Sequence, residues 1–490
     1  MAIRIGGLAS GMDTDQIVTD LMKAERIPLN KLTQKKQILE WQREEYREMN
    51  KLLNDFDQFI YGNMTLQKDF LKKKVTSSDT SAVTAVANSS AANIGTRIEV
   101  TQIAKSANWI SSGPTTFTGG VQRTLDLSVT KGDGSTSNNI QIVIEENDTL
   151  ENVISKLSNN KDLGISVFRD THTGQVVITK KETGEKAAIT LNNTDSTEIF
   201  KSLGFTDAAV GSNLTVGSGT QGKDSIFSIN GLTTSRTTNT FVVDNVTYTL
   251  HKDNSAANVS LSNDTDNMVD KVVQFVNKYN ELIEKVNGKM NEEKYRSYQP
   301  LTDTEKETMT EKQIELWEER AKSGLIKNDS ILSGALTKMR SDLYNPNNSN
   351  VDFKQLAQIG ITTSSNYLDK GKLLINETKL RDAVAKDPTA IFQLFNSSGS
   401  TTESVGLAKR IRETISTTIK SIEKKAGKNT STNQQFTIGR NLTNLNKQIN
   451  RFEDRLIKVE DRYWSQFSAM EQAIQKSNSQ MSYLMQQFSS

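Results

Sequence analysis

The C-terminal end of the chain carries a helical apolar repeat that neither glycine nor proline interrupts. After Gly439 neither residue occurs again. Apolar and aromatic side chains then alternate at spacings of three and four: Leu442, Leu445, Ile449, Phe452, Leu456, Val459 and Tyr463, with a looser continuation through Met470, Ile474, Met481, Leu484 and Phe488. Apolar residues every 3.5 positions require a partner helix along their length. The stretch from Arg440 to Phe488 therefore predicts a coiled-coil helix roughly 70 Å long.

The N-terminal end has the same helical character. Asp13 can cap a first helix, with Gln16 as the reciprocal partner of a capping box. Pro28 is expected to break or kink this helix. The predicted apolar face of the first helix is Ile17, Leu21 and Ala24, and a longer helix after Leu29 carries the heptad seam Leu32, Leu39, Tyr46, Met49, Leu53, Phe56 and Ile60. Two polar residues, Lys35 and Gln42, interrupt that seam and are expected near solvent, because buried charge is costly.

Two interpretations of these terminal helices remain open. They can form an intramolecular hairpin and nothing more, or they can also bind other molecules. The outermost segments, Met1–Pro28 and Ser477–Ser490, are short and polar. Because isolated short helices are marginal in water, we expect these segments to be disordered in the free monomer and ordered on assembly.

The middle of the chain has a different composition. From Thr76 to about Asn267 it is rich in Thr, Ser, Asn and Gly, with short alternating apolar runs that predict strands. The predicted strands are Thr96–Lys105, Asn139–Glu145, Gly174–Lys180 and Thr240–Leu250. Asp148 is expected to cap a helix over Leu150–Leu157, and the glycine-rich stretch Val216–Asp224 is expected to separate two lobes.

Helical patterns return after this insert. The next helix has the apolar stripe Val269, Val272, Val273, Val276, Tyr279, Ile283 and Val286. Further predicted caps are Thr310 with Gln313, Asp329 or Ser330, Asn376, and Asp387 before Pro388. A tight turn at Asp369–Lys372 is predicted between two short strands.

These patterns predict an α+β fold: a helical coiled-coil stalk from both chain ends, with a mixed helical region beneath an inserted β-rich two-lobed head. The predicted segments are an N-terminal helix region (1–40), a helical stalk domain (41–75 and 268–439), a first head lobe (76–95 and 216–267), a second head lobe (96–215) and the C-terminal coiled-coil helix (440–490).

Charge and cysteine content exclude several function classes. The 60 basic residues nearly balance the 58 acidic ones, which argues against a nucleic-acid protein. The chain has no cysteine, so disulfides, thiolate catalysis and cysteine zinc sites are excluded. No apolar run reaches the ~18 residues of a membrane span, and Asp13 and Asp15 fall where a secretory signal would be apolar. We therefore expect a cytoplasmic protein, or one exported without a cleaved signal.

Candidate catalytic and ligand motifs are weak. "GGLASG" is followed by Met12 and Asp13 instead of the Lys and Ser/Thr of a phosphate loop. His172 and His251 are isolated, and the calcium-like stretch Asn263–Asn267 lacks the later ligands of a calcium loop. No Ser/His/Asp set or carboxylate pair stands out. The expectation is a non-enzyme with no cofactor, metal or catalytic residue.

Several stretches together resemble the flagellar filament-cap family, also known as the hook-associated protein 2 family. "GLASGMDTDQIVTDLMKAE" is similar to the family's opening, and "IGTRIEVTQIAKSANWIS" to its first β-domain strand. "FVNKYNELI" resembles the helix that re-enters the stalk, and "RFEDRLIKVEDRYWSQFSAMEQAI" the last helix. "NDTLENVISKLSNNKDLGISVFRDTHTGQVVITKKETG" is similar to a small repeat shared by flagellins and hook proteins. The resemblance covers nearly the whole chain.

The resemblance implies a structural function outside the cell. It implies export through the flagellum's own channel, assisted by an export chaperone in some members, and a homo-oligomeric ring at the distal filament tip. Flagellin would be incorporated beneath the ring and kept from being lost, and some members bind host mucus. The residues expected to carry assembly are the helix seam: Ile17, Leu21, Leu32, Leu39, Tyr46, Met49, Leu53, Phe56, Leu442, Leu445, Ile449, Phe452, Leu456, Val459, Tyr463 and Met470.

Two alternatives to this function remain open. One is another flagellar axial or junction protein, which would build shafts or sit at the hook. The other is a surface adhesin with a coiled-coil stalk, which would need an anchor that these residues do not show.

Overall fold

The computed structural model describes residues 11–349 and 352–488. The chain divides into two compact units. The helical unit comprises Met1–Phe70 and Thr265–Ser490, and the β-rich unit comprises Leu71–Asp264. A β-rich segment is thus inserted between two helical ends, and the predicted α+β class is confirmed.

Helices occupy most of the helical unit, and two short ones lie in the β-rich unit. In chain order they are α1 (Thr14–Ile60), α2 (Gln67–Phe70), α3 (Leu150–Asn159), α4 (Thr194–Ser202), α5 (Thr265–Asn291), α6 (Asp303–Glu307), α7 (Glu311–Lys322), α8 (Ser330–Tyr344), α9 (Glu377–Lys386), α10 (Pro388–Asn396), α11 (Leu407–Ala426) and α12 (Thr437–Phe488).

Strands fill the β-rich unit, and one short pair lies in the helical unit. They are β1 (Lys73–Ser77), β2 (Val83–Ala87), β3 (Gly95–Gln102), β4 (Ser106–Ile110), β5 (Arg123–Thr130), β6 (Thr136–Ile144), β7 (Ile165–Arg169), β8 (Val176–Thr183), β9 (Ala188–Leu191), β10 (Ser225–Ile229), β11 (Leu232–Arg236), β12 (Thr240–Val243), β13 (Val246–Leu250), β14 (Ser255–Asn263), β15 (Ile361–Thr363) and β16 (Leu373–Ile375).

An aromatic cluster joins the C-terminal half of α1 to α5 and α10. The Phe56 ring stacks on Phe275 with centroids 5.8 Å apart, and Phe275 meets Phe395 edge-on at 5.5 Å. All three side chains are buried, so they contribute both apolar burial and ring geometry. At the edge of this core Asp57 accepts two hydrogen bonds from the Arg412 guanidinium, at 2.8 and 3.1 Å. This fork fixes α11 against α1.

The first helix runs through Pro28 without a break. Of the predicted break or kink, the break is not observed, because α1 continues from Thr14 to Ile60 with Pro28 inside it; a kink stays a prediction. The proline removes one backbone donor from the helix interior. Disorder of the outer segments before assembly stays a prediction; of those segments, Met1–Ser10 and Ser489–Ser490 lie outside the described residues.

Most predicted caps are present. Thr310 and Gln313 form a capping box for α7, Asp329 caps α8, and Asn376 caps α9. Two caps differ. Asp13 accepts from the Gln16 amide as predicted, but the Gln16 side chain donates to Asp20, so no reciprocal box forms. Thr149, not Asp148, caps α3. Asp148 accepts instead from the backbone amide of Glu145 and from Lys156.

The β-rich unit contains two hydrophobic cores. The sheets β1-β14-β3-β10-β11 and β12-β13-β2 surround the first, which includes Ile98 and Val100 of β3. The sheets β4-β8-β7 and β6-β5-β9, with α3 and α4, surround the second. The predicted lobe boundary at residue 96 is therefore wrong for β3, which pairs with β14 and β10 and lies in the first core.

Two local features of this unit also differ from expectation. The single predicted strand Thr240–Leu250 is a tight hairpin, β12 and β13, whose turn residues Asp244 and Asn245 have φ of 49° and 65°. The joint Val216–Asp224 contains a turn, in which the Gly219 amide donates to Val216 O, and it bonds alongside β4: the Asn108 amide donates to Thr220 O and the Lys105 amide to Lys223 O, both at 2.9 Å.

Candidate functional site: the paired terminal helices

The two terminal helices pair in opposite directions within the helical unit. Near the start of α12, Arg47 Nη2 donates to the carbonyl of Lys428 at 3.0 Å. Farther along α12, the Tyr463 hydroxyl donates to Glu25 Oε1 at 3.1 Å. As residue numbers fall along α1 they rise along α12, so the pair is an antiparallel hairpin.

A small apolar cluster holds the outer part of this pair. Val18 and Met22 of α1 are buried together with Leu456 and Val459 of α12. The side chains packed around them are Leu29, Phe452, Tyr463, Trp464 and Phe467. Burying an aliphatic side chain of this size contributes about 1.5–3 kcal/mol. The cluster therefore supplies the local stability that a short helix such as the start of α1 lacks by itself.

The structure distributes the predicted seam residues over three environments. Eight are buried: Tyr46, Met49, Leu53, Phe56, Leu442, Leu445, Leu456 and Val459. Seven are partly buried: Ile17, Leu32, Leu39, Ile449, Phe452, Tyr463 and Met470. Leu21 is 37% exposed. The face of the first turns that is buried within the chain is therefore that of Val18 and Met22, one residue beyond the predicted Ile17 and Leu21.

A charged network ties α1 to α8 and α11. The Tyr46 hydroxyl donates to Asp329 Oδ2 at 2.6 Å, and Lys425 Nζ donates to the same oxygen at 2.8 Å. Burial opposes ionisation of Asp329, but the hydrogen bonds from Lys425 and Tyr46 outweigh it and hold the pKa below its usual value. Burial and the adjacent carboxylate raise the pKa of Tyr46. Tyr46 is a predicted seam residue, but no sequence pattern predicts its contacts with Asp329 and Lys425.

The two polar interruptions of the N-terminal seam have different environments. Lys35 is exposed, as expected. Gln42 is partly buried, and its Nε2 donates to the carbonyl of Leu325 at 3.0 Å. Gln42 is therefore a satisfied polar contact to the segment before α8 and not a defect in the seam.

The last turns of α12 present an uncovered apolar stripe. The stripe consists of four apolar residues whose successive spacings of three, one and three positions place them on one helix face: Met481, Leu484, Met485 and Phe488. All four are exposed, Phe488 by 88%. The last buried residue of α12 is Glu471. Beyond it the helix runs on for roughly 25 Å at 1.5 Å per residue, and over these turns the described residues partly bury Ile474 and leave the other side chains exposed.

Metal and membrane features are not found in the described part of the chain. No group of three or more His, Asp or Glu side chains there could hold a metal ion. No described helix is long and apolar enough to span a bilayer.

Comparisons with known proteins match both ends of the chain to one family. The family model described as flagellar hook-associated protein 2 C-terminus matches residues 222–479, more than half of the chain, and the corresponding N-terminal model matches residues 10–107. Flagellar hook-associated protein 2 of Halalkalibacterium halodurans is 35% identical over 534 aligned residues, which cover 99% of this chain and 100% of that protein. The Escherichia coli protein of the same name is 25% identical, covering 98% and 97%.

A crystal structure shares the fold. The flagellar cap protein FliD from Escherichia coli superposes with a TM-score of 0.58 at 21% identity, covering 82% of this chain and 99% of that one. The two-ended helical pattern with a β-rich insert therefore recurs in a solved structure. Together with the family models at both ends and the full-length relative, these findings place the chain in the flagellar hook-associated protein 2 family.

Proposed function

We propose that this protein is the cap of the bacterial flagellar filament. Copies of the chain form a ring at the distal tip, outside the cell, and flagellin subunits are incorporated beneath the ring and kept from escaping. The proposal rests on family membership and on one observation in this chain, the uncovered apolar stripe of α12 at Met481, Leu484, Met485 and Phe488.

The stripe supports binding to other molecules because none of the described turns of α1 covers it. α1 begins at Thr14, and among the described residues the apolar cluster that pairs it with α12 ends at Phe467. A helix with one apolar face is stable in water when that face is buried. We infer that the stripe is buried by the helices of flagellin or of neighbouring copies.

Both interpretations of the terminal helices therefore apply to different parts of α12. The part up to Glu471 forms an intramolecular pair with α1, and the part after it is available to partners. A cap must hold the tip while subunits enter, and this division keeps the ring-bound surface separate from the contacts that stabilise the monomer.

The proposal includes the route by which the protein leaves the cell and the way in which it acts. The chain would leave the cell through the flagellar export apparatus, with an export chaperone covering the apolar stripe before assembly. It would act by binding alone, with no catalytic step. A role in adhesion to host mucus is a further family property that no residue described here supports.

Electron microscopy with a label on the β-rich unit tests the proposal. Label confined to distal filament tips supports a cap. Label along the shaft would support an axial component instead, label at the hook a junction protein, and label over the cell surface an adhesin.

A tail variant tests the role of the stripe. Met481→Ser, Leu484→Ser and Phe488→Ser together replace exposed side chains only, so the thermal midpoint should be unchanged while tip label is lost. The matched control Gln475→Ala with Gln480→Ala changes polar positions of the same helix and should keep the label. Normal tip label in the triple variant would overturn the role of the stripe.

A further inference from the structure

A cavity in the helical unit has mostly apolar walls. It has a volume of about 300 Å³ and lies between α5, α8 and the β15–β16 pair. Its walls include Leu343, Leu356, Ile361 and Leu373, with Tyr279 beside them. No Asp or Glu is among the described residues that line it. A cavity of this size accepts an aliphatic side chain with room to spare.

Arg340 is one of the residues that line this cavity, beside Tyr279. The guanidinium makes no hydrogen bond or ion pair with any residue in 11–349 or 352–488. It lies against Gly371, whose φ is 97° and where a Cβ would be 2.5 Å from Nη2. Glycine at this position thus leaves the arginine its space. A planar guanidinium pairs best with a carboxylate, so the cavity fits an apolar side chain that has a carboxylate beside it.

Two exposed side chains one turn apart on α7 provide an apolar group with a carboxylate beside it, and that carboxylate also lines an open groove beside Trp41 of α1. Leu316 is 51% exposed, and Glu319 lies one turn further along the helix. Glu319 makes no ion pair within the described residues. Glu315, the other neighbour of Leu316, faces Lys312 at 4.0 Å. Glu319 is therefore the carboxylate that remains available.

Local contacts connect α7 to the segment that precedes α6. The capping box of Thr310 and Gln313 fixes its first turn. The indole Nε1 of Trp317 donates to the carbonyl of Gln299 at 2.8 Å, and the Arg320 guanidinium lies over the Tyr298 ring. A side chain that is already ordered loses little entropy when it binds.

We propose that Leu316 of one copy enters the Arg340 cavity of a second copy, where Glu319 pairs with Arg340. The two surfaces are different, so the contact is heterologous and generates a closed ring when the rotation between copies allows it. The inference adds a specific contact between copies to the proposed ring, and it does not depend on where the ring acts.

Crosslinking of single-cysteine variants tests the contact, because the chain has no cysteine of its own. Lys312→Cys, made together with Glu315→Gln so that no second carboxylate is freed, places a thiol on the exposed face of α7, and Thr362→Cys places one at the cavity; both leave Leu316, Glu319 and Arg340 intact. Mixed full-length proteins are treated with a short bis-maleimide. The Lys312→Cys and Thr362→Cys mixture should give at least about tenfold more dimer than a Lys312→Cys and Ser416→Cys mixture, since docking raises the effective concentration of the thiols.

Substitutions at the contact decide the outcome. Leu316→Ser on the first protein, or Arg340→Glu on the second, should reduce the crosslink to the control level. Combining Glu319→Arg on the first protein with Arg340→Glu on the second should restore it, because the charges are exchanged. If Arg340→Glu perturbs the circular dichroism spectrum, Arg340→Gln replaces it as the variant that should reduce the crosslink, because it removes only the charge. A crosslink equal to the control, or one that these substitutions leave unchanged, overturns the contact, whereas the α12 tail variant tests the cap function separately.

Discussion

The Tyr46 hydroxyl of α1 and the Asp329 carboxylate at the start of α8 lie 2.6 Å apart, although 283 residues separate them in the chain. Asp329 also caps α8 through the amides of Ile331 and Leu332 and accepts from Lys425 of α11. One carboxylate therefore connects three helices of the helical unit.

Tyr46→Phe should lower the stability of the helical unit by about 1–2 kcal/mol, because a buried charged acceptor loses one donor. Thermal unfolding followed by circular dichroism measures the change. Tyr463→Phe is a matched control, since its hydroxyl donates to Glu25 in a partly exposed position. An equal loss in both variants would mean that burial does not strengthen the Tyr46 bond.

The same carboxylate predicts a dependence of stability on pH. The folded-state pKa of Asp329 is lowered from 3.8, so its contribution is fully present above that value and is lost as pH falls through the lower, folded-state pKa. Between neutral pH and acid, the wild type should therefore lose more stability than Asp329→Asn. Denaturant unfolding at a series of pH values measures both, and parallel curves would contradict the assignment.

Adjacent residues of α12 predict opposite effects of the same substitution. Leu456 is buried in the apolar cluster, whereas Ile457 is 61% exposed. Leu456→Lys should cost several kcal/mol, because a charge replaces a buried aliphatic group, and Ile457→Lys should change stability by less than about 0.5 kcal/mol. Hydrogen exchange of α1 amides around Val18 reports the loss locally. Equal exchange in the two variants would contradict the observed pairing.

The β12–β13 turn predicts a conformational effect. Asn245 has φ of 65°, a region that glycine enters freely and a β-branched residue avoids. Asn245→Val should destabilise the β-rich unit by about 1–3 kcal/mol, and Asn245→Gly should be neutral within about 1 kcal/mol. Thermal unfolding monitored at a β-sheet wavelength distinguishes the two, and tolerance of valine would show that the turn rearranges.

Local features of this fold could be predicted from the sequence, and long-range ones could not. The caps at Thr310 and Asn376 join residues three apart, so the pattern contains both partners. Val18 with Met22 and Ile17 with Leu21 have the same spacing, and only the position of α12 decides between them. The Asp244–Asn245 turn has a local signal, two turn-forming residues between alternating runs, although the alternation over Thr240–Leu250 predicts one continuous strand.

The two candidate sites also combine local features, which the sequence predicts, with long-range features, which it does not. The apolar stripe at the end of α12 follows from helical spacing alone. That it is uncovered depends on where α1 begins, and this is a property of the folded chain. The Arg340 cavity draws on residues from Tyr279 to Leu373, whose proximity no spacing rule predicts. The membership of β3 in the first core likewise depends on pairing with β14 and β10, far away in the sequence.

Pro28 has a consequence for how the terminal pair opens. Because the ring removes the amide that would bond to the preceding turn, the hydrogen-bond ladder of α1 is weakest at that point. We therefore expect the turns from Thr14 to Pro28 to separate from α12 as one cooperative unit, while the rest of α1 stays folded in the core of the helical unit. Such opening would expose the apolar faces of Phe452, Trp464 and Phe467, which would extend the exposed apolar surface of α12 toward the centre of the helix without unfolding the protein.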